Sequence, residues 1–301
     1  MIRALLFLAI VLCVTESCYK KSIDALSEES DAYAEELAQK RSDRVDRLTR
    51  PQGWLSLVGL HWLEEGVNTI GGAADNTIVF SQTDTETIGA YQVAGDDIFF
   101  GKVEGVDVSS EGQEYLGGPV EVGYPHTIAN HGSLYWYVIK RGEKYAIRLR
   151  DTLSMNRLTF EGIPYFPTNR SLVVNARVEK PEADETVLIT NVLGHTSDTP
   201  VAAYLHFEID NKKYKLAALD EGGDSYFVIF GDPTNGVTSY GGGRFIYPNK
   251  PVGEETTVLL DFNLAVNPPC VFTDFATCPL PPEINKLSVA INAGEMNDGH
   301  Q

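Results

Sequence analysis

The sequence predicts an all-β protein built from antiparallel sheets, arranged as a sandwich or barrel in one or two modules. After Gly53, short runs rich in Val, Ile, Thr, Tyr and Phe alternate with turn residues about every 8 to 12 positions. No long helical period separates these runs, whereas parallel strands would need crossover helices of about a dozen residues. The chain has 301 residues, 43% of them hydrophobic, which excludes a disordered chain and allows a large buried core.

The predicted strands fall into two stretches on either side of an irregular, proline-containing segment at 151–170. This segment predicts an N-terminal β module over 53–155 and a C-terminal β module over 156–301, although one continuous β body fits the same pattern. The runs that we assign to strands are 67–70, 77–80, 97–100, 134–140, 145–149, 172–178, 186–192, 201–209, 213–218, 226–230, 257–262 and 287–291.

Residues 1–17 have the pattern of a cleaved signal peptide. Arg3 gives a positive start, residues 4–14 form a short apolar run, and Ser17 precedes Cys18. About 11 apolar residues are too few to span a bilayer comfortably, which favours a cleaved signal over a retained helix. The segment resembles a bacterial lipoprotein signal. We therefore expect a cell-envelope protein anchored to the membrane through Cys18, with simple secretion as the alternative.

Residues 18–52 predict a helical stalk that precedes the β body. They are rich in Glu, Asp, Lys, Arg, Ala and Leu, and Tyr33 and Leu37 give the segment a thin apolar stripe. Ser27 and the acidic residues after it indicate a capped helix start, and Pro51 lies where the helix should end. We interpret the segment as a solvated stalk, with a partner-binding helix as the alternative.

The charge and the absent motifs exclude several classes of function. The chain has 42 acidic and 24 basic residues, a net charge of −18. Such a chain is a poor general binder of nucleic acid, so we expect no nucleic-acid partner. The sequence contains no Gly-x-Ser-x-Gly elbow, no P-loop and no dinucleotide fingerprint, and we expect no cofactor. Whether the protein is an enzyme stays open.

A dense group of polar residues, prolines and cysteines lies near the C-terminus. Three glycines precede Arg244 and would let the backbone approach another group closely. Asp261 and Asn263 are two positions apart and would share one face of a strand. Prolines on both sides of Cys270 and Cys278 stiffen the chain. Polar groups in such a rigid setting must be hydrogen bonded where they are buried.

Cys270 and Cys278 are most simply interpreted as a disulfide. They are the two cysteines that remain when Cys13 leaves with the signal peptide and Cys18 is acylated, and the envelope is oxidising. Free thiols are the alternative. The Cys-x7-Cys spacing is not usual for zinc, and no His lies between Leu259 and Glu295, so we expect no metal.

The C-terminal group closely resembles the bacterial family named domain of unknown function 1684 (DUF1684). The family string LDFN…NPPC…TCPLPP…N…AGE is nearly complete from Leu260 to Glu295. The runs Gly243–Phe245, Arg148–Asp151 and Gly162–Pro167 fit the same family. The resemblance implies an all-β body with a site around these residues, in a lipoprotein member of the family. It implies no reaction.

Three interpretations of the C-terminal group stay open. In the first, the disulfide and the polar residues only tie a proline-rich loop to the sheet. In the second, Arg148 and Arg244 hold an anionic group, and Asp261 and Glu295 orient the rest of a small polar or anionic ligand. In the third, Asp261 and Glu295 are the acid and base of a hydrolase-like enzyme. The predicted ligand-binding residues are Arg148, Arg244, Asp261, Asn263, Asn267, Asn285 and Glu295.

Overall fold

The computed structural model describes residues 31–297. The predicted signal peptide and lipidation site Cys18, with the first part of the stalk, lie outside the described residues. Residues 31–49 are helical (α1), and a short helix, α2, covers Met155–Leu158. Single 3-10 turns occupy Trp54–Ser56, Arg170–Leu172, Phe262–Leu264, Pro269–Val271 and Glu283–Asn285.

The rest of the regular structure is strand, which confirms the all-β prediction. The strands are β1 (Leu57–Trp62), β2 (Gly66–Gly71), β3 (Ile78–Val79), β4 (Gly89–Ala94), β5 (Asp97–Lys102), β6 (Ser109–Ser110), β7 (Gln113–Glu114), β8 (Gly117–Pro119), β9 (Ala129–His131), β10 (Leu134–Arg141), β11 (Lys144–Asp151), β12 (Val173–Glu179), β13 (Thr186–Thr190), β14 (Thr196–Pro200), β15 (Ala203–Ile209), β16 (Lys212–Ala218), β17 (Val228–Phe230), β18 (Arg244–Ile246) and β19 (Thr257–Asp261).

These strands form five sheets in the described part of the chain. Their orders are β1-β11-β10-β9-β6-β7, β3-β2-β4-β5-β8, β16-β15-β12-β19, β13-β14 and β17-β18. Strands β2 and β3 pair in parallel and the other paired strands are antiparallel. Each sheet takes its strands from one side of residues 152–172.

Contacts divide the chain into two units. The helical residues 31–45 belong to one unit, and residues 46–297 form the other, which is compact and contains all five sheets. The finer division of the β body into two modules stays a prediction. Within residues 31–297, no helix has both the length and the apolar character needed to cross a membrane.

The first core lies between the six-stranded and the five-stranded sheet. Trp136, Ile147 and Leu149 are fully buried in it. Since successive strand residues point to opposite faces, Arg148 and Arg150 of β11 lie on the other face of the six-stranded sheet. A second core forms between the four-stranded sheet, the β17-β18 hairpin and the C-terminal tail.

The other face of the six-stranded sheet is covered by the loop between Cys270 and Cys278. The Thr273 hydroxyl donates to the Leu57 carbonyl at 2.9 Å. Arg141 Nε donates to the Thr277 hydroxyl at 3.1 Å. This loop therefore closes over the strand face that carries Arg148 and Arg150, which partly encloses those side chains.

Candidate functional site

Arg244, one of the predicted ligand anchors, lies in the second core with an exposure of 0%. Its Nη2 is 2.9 Å from Asp232 Oδ1 and donates to the Ile291 carbonyl at 2.8 Å. Its Nη1 donates to the Ala293 carbonyl at 2.5 Å. The guanidinium is thus surrounded by acceptors from the protein itself.

The ion pair of Arg244 fastens the C-terminal tail to the β17-β18 hairpin. Burial lowers the pKa of Arg244, and the charge of Asp232 opposes that effect. Asp232 Oδ2 accepts hydrogen bonds from the amides of Thr234, at 3.1 Å, and Ile291, at 2.8 Å. A buried ion pair offsets its desolvation only when its remaining polar atoms are hydrogen bonded, and these contacts meet that condition except at Arg244 Nε, which is buried without a hydrogen-bond partner.

Glu295, a predicted acid or base, is also fully buried. Its Oε2 accepts the backbone amide of Asn267 at 2.6 Å. The Asn267 side-chain amide donates to the Met296 carbonyl at 2.9 Å. The backbone of Glu295 forms an antiparallel bridge with Tyr165, so the carboxylate and the backbone of this residue hold the tail between two neighbouring segments.

The remaining predicted polar residues bind backbone in the same way. Asp261 caps a 3-10 turn by accepting the amide of Asn263 at 2.9 Å. The Asn263 side chain accepts the Asn169 amide at 2.8 Å and donates to its carbonyl at 2.9 Å. Asn285 accepts the Ala217 amide at 2.7 Å and donates to the Ile229 carbonyl at 2.8 Å. These three side chains bind backbone groups of their own or neighbouring segments and so hold irregular parts of the chain in place.

The glycines before Arg244 approach the protein's own backbone. Gly243 has φ +84°, and a Cβ there would collide with Pro281 and with the Phe230 carbonyl. The close approach predicted for this segment is thus made to the proline-rich loop.

Cys270 and Cys278 are bonded as a disulfide, with their Cα atoms 6.1 Å apart. The cystine packs in a hydrophobic cluster with Phe227 and Phe245, and Trp54 packs against that cluster. Among residues 31–297, no group of three or more His, Cys, Asp or Glu side chains has the geometry to hold a metal ion.

The structure does not bring Arg148 to Arg244. Arg244 and Phe245 are successive residues of β18, and their side chains point to opposite faces. Phe245 lies on the side of the cystine and Trp54, and the Arg148 guanidinium lies over the Trp54 ring at 5.3 Å. The predicted shared pocket is therefore divided: Arg244 and Glu295 meet in the core, and Arg148 belongs to another cluster.

That second cluster, which we call the arginine cluster, consists of Arg141, Arg148 and Arg150. Arg148 lies opposite Tyr137 in the β10-β11 pair. The Arg150 guanidinium is also 5.3 Å from the centre of the Trp54 ring. Arg150 donates to the Gly53 carbonyl and, at 3.3 Å, to the Ser56 hydroxyl.

The arginine cluster has no carboxylate partner in the described part of the chain. The ion pairs found there involve other cations. The further contacts of the three arginines are with uncharged groups: the Lys140 carbonyl, the Tyr135 ring and the Tyr137 hydroxyl. Arg148 is only 7% exposed, and its buried Nε has no hydrogen-bond partner. A buried cation without a counter-charge is costly, which distinguishes Arg148 from Arg244.

The groups around the cluster respond to its positive charge. Burial would raise the pKa of Tyr137, but the charges and hydrogen bonds of Arg148 and Arg150 outweigh burial and lower it. His126 stacks on Tyr137 with ring centres 4.7 Å apart. Burial, followed by the charges of Arg148 and Arg141, lowers the pKa of His126, against a backbone hydrogen bond that raises it. The positive charge of the cluster therefore favours the deprotonated forms of Tyr137 and His126, which are negative and neutral respectively.

The C-terminal part of the chain matches a known family. Residues 158–296 match the family described as "Protein of unknown function (DUF1684)". This part of the chain belongs to DUF1684. The match confirms the family resemblance of the string from Leu260 to Glu295. It begins after Arg148–Asp151, so the arginine cluster lies outside the matched residues.

Solved structures include a protein that is similar to the DUF1684-containing chain. An uncharacterized protein from Haloarcula marismortui, determined by solution NMR, is 34% identical, and the similarity covers 48% of this chain and 81% of that chain, with a TM-score of 0.40. No curated protein matches the chain.

Arg141 and Arg150 were not predicted from the sequence, because they lie outside the DUF1684 string from Leu260 to Glu295. Of its members only Arg148 was predicted to bind a ligand. The available signal was a period of two: Tyr135 and Tyr137 alternate in one strand, and Arg148 and Arg150 alternate in the next. That pattern predicts two tyrosines and two arginines on one face of a sheet.

We expect Arg244→Met to destabilise the protein by about 3 to 5 kcal/mol, because it leaves the Asp232 carboxylate buried without its partner. The measurement is the free energy of unfolding in urea. The control is Arg177→Met, since Arg177 is exposed and its pair with Glu179 lies at the surface, and we expect a change below about 0.5 kcal/mol. Equal effects of the two variants would contradict a structural role for Arg244.

Proposed function

We propose that this protein binds a small anionic ligand at the arginine cluster, with Arg148 as the main anchor and Tyr137 beside it. The observation that carries the proposal is the state of Arg148. Its side chain is 7% exposed, and its Nε, like that of Arg244, has no hydrogen-bond acceptor. Unlike Arg244, it has no carboxylate partner within residues 31–297. A guanidinium presents its donors in a planar fork that matches carboxylate and phosphate groups.

The arginine cluster lacks a carboxylate partner even though the chain is rich in acidic residues. The chain has 42 acidic residues against 24 basic ones, and other cations such as Lys102, Lys140 and Lys250 each pair with a carboxylate. Positive charges that are grouped together without carboxylates attract anions from solution. The grouping in an acidic protein therefore supports an anion-binding site.

The cluster has an edge that an anion can reach. Tyr137, Arg141 and His126 are half-buried, so their side chains face solvent in part. Burial, followed by the charge of Arg148, lowers the pKa of Arg141, which indicates that two like charges lie close together. A bound anion would relieve this repulsion and would supply the missing acceptors.

A cavity of about 450 Å³ lies beside the core around Arg244 and is lined in part by Gly231, Asp232 and Lys286, but it does not expose Arg244. Arg244 and the Asp232 side chain are both 0% exposed, and they are paired with each other. Asp261 and Glu295 likewise accept hydrogen bonds from the backbone. We therefore assign ligand binding to Arg148 and not to the other residues of the predicted pocket.

The test is a thermal-shift and calorimetric titration of the protein with sulfate, phosphate, citrate and acetate. We expect at least one anion to stabilise the parent protein, by about 2.7 kcal/mol at a concentration 100 times its Kd. Arg148→Gln should lose this stabilisation, because the main anchor is removed. Its stability without anion should stay within about 1 kcal/mol of the parent, since the change also removes repulsion among guanidinium groups.

Arg177→Gln is the matched control, because it removes one arginine from an exposed position on β12. It should leave the anion-induced shift unchanged. The proposal fails if no anion stabilises the parent protein, or if Arg148→Gln keeps the full shift.

We further propose that the protein is an envelope lipoprotein anchored through Cys18. The support is the sequence: a positive start at Arg3, an apolar run at 4–14 and a small residue at position 17 before the cysteine. Such an anchor would present the arginine cluster to solutes outside the cytoplasm.

Mass spectrometry of the protein expressed in a bacterial host tests this location. We expect a membrane-bound mature chain that begins at Cys18 and carries acyl groups, and a Cys18→Ala variant that is neither acylated nor processed at this position. Recovery of an unlipidated mature parent protein from the soluble envelope fraction would contradict the anchor and favour simple secretion.

A further inference from the structure

The arginine cluster contains more positive charge than a monovalent anion would balance. Arg141 and Arg148 both influence His126 and Tyr137 electrostatically, and Arg150 influences Tyr137 as well. Arg150 satisfies two of its donor contacts with the protein, but these acceptors are uncharged groups, a carbonyl and a hydroxyl. Three guanidinium charges therefore remain without a negative partner in the described residues.

We propose that the site selects a divalent oxoanion, a phosphate or sulfate group, and that Arg141 is the residue that recognises the second negative charge. This inference rests on the proposed anion-binding function and adds the class of ligand and a specificity residue.

The hydrogen bonds of Arg141 orient it for this role. Its Nε donates to the Thr277 hydroxyl at 3.1 Å, and its Nη1 donates to the Lys140 carbonyl at 2.9 Å. Its Nη2 has no acceptor among residues 31–297. The loop closed by the cystine thus holds the side chain in place, and its Nη2 group remains available to donate to a ligand.

The geometry of the other donors fits a tetrahedral oxoanion better than a planar carboxylate. Arg148 contributes a buried Nε without an acceptor, Arg141 contributes Nη2, and the Tyr137 hydroxyl lies beside Arg148. A carboxylate presents two oxygens in one plane, whereas phosphate and sulfate present oxygens in several directions. Arg148 lies on β11 and Tyr137 and Arg141 lie on β10, so in the proposed complex the donors come from two strands.

The experiment compares sulfate with methanesulfonate by calorimetry at pH 7. Both ions have a tetrahedral sulfur, but methanesulfonate has a methyl group in place of one oxygen and carries one negative charge fewer. We expect the parent protein to bind sulfate at least about 10-fold more tightly. In Arg141→Gln this preference should fall to about 2-fold or less, with little change in the affinity for methanesulfonate. Arg141→Lys keeps the charge and should retain most of the preference.

A pH titration with glycerol 2-phosphate gives a second readout of charge. A phosphate monoester has a second pKa of about 6, so its divalent fraction rises about 10-fold between pH 5 and pH 7. We expect its affinity, divided by that of sulfate at each pH, to rise by about the same factor. Sulfate stays divalent over this range and corrects for titration of His126.

The outcomes separate this inference from the function on which it rests. If no anion binds the parent protein, the proposed function fails and this inference fails with it. If binding is lost in Arg148→Gln but sulfate and methanesulfonate bind the parent equally, the function stands and the selection of a divalent ion is wrong. The same conclusion follows if Arg141→Gln keeps the preference for sulfate.

Discussion

A guanidinium group that leaves water must exchange its hydration for other acceptors, and the arrangement of this protein follows from how its arginines meet that condition. Arg244 meets it within the chain: one carboxylate and the carbonyls of the tail surround it. Arg148 lies almost as deep and has no carboxylate partner in the described residues, and the Nε atoms of both arginines lack an acceptor. We therefore infer a structural role for Arg244 and propose a binding role for Arg148.

The core around Arg244 and the arginine cluster are connected by the proline-rich loop that begins at Asn267. The Arg244–Asp232 pair fixes the tail at Ile291, and Glu295 fixes the start of the proline-rich loop at Asn267. This loop continues into the cystine and lies over the strand face that carries the arginine cluster. The core around Arg244 thus supports the wall of the proposed site, and loss of the buried ion pair should disturb anion binding only through the position of this loop.

The sequence predicted the all-β fold because alternation and turn residues are local properties, and the observed strands confirm that prediction. It also predicted that the polar residues of the C-terminal string need partners, and Asn285 between two strands is an example. It could not predict which partners. Asp232, the counter-ion of Arg244, lies outside the string in an ordinary turn. The prediction that Arg148 and Arg244 share one pocket was wrong, because spacing along the chain does not tell which face of a distant strand a side chain occupies.

The most direct test of this account is a crystal structure of the protein soaked in selenate, with anomalous scattering used to locate selenium. We predict the strongest peak beside the Arg148 guanidinium and the Tyr137 hydroxyl, with selenate oxygens at hydrogen-bonding distances of about 3 Å. The core around Arg244 should contain no peak. Bound selenate found only at other positions, with the donors of Arg148 still unfilled, would contradict the division of roles between the two arginines.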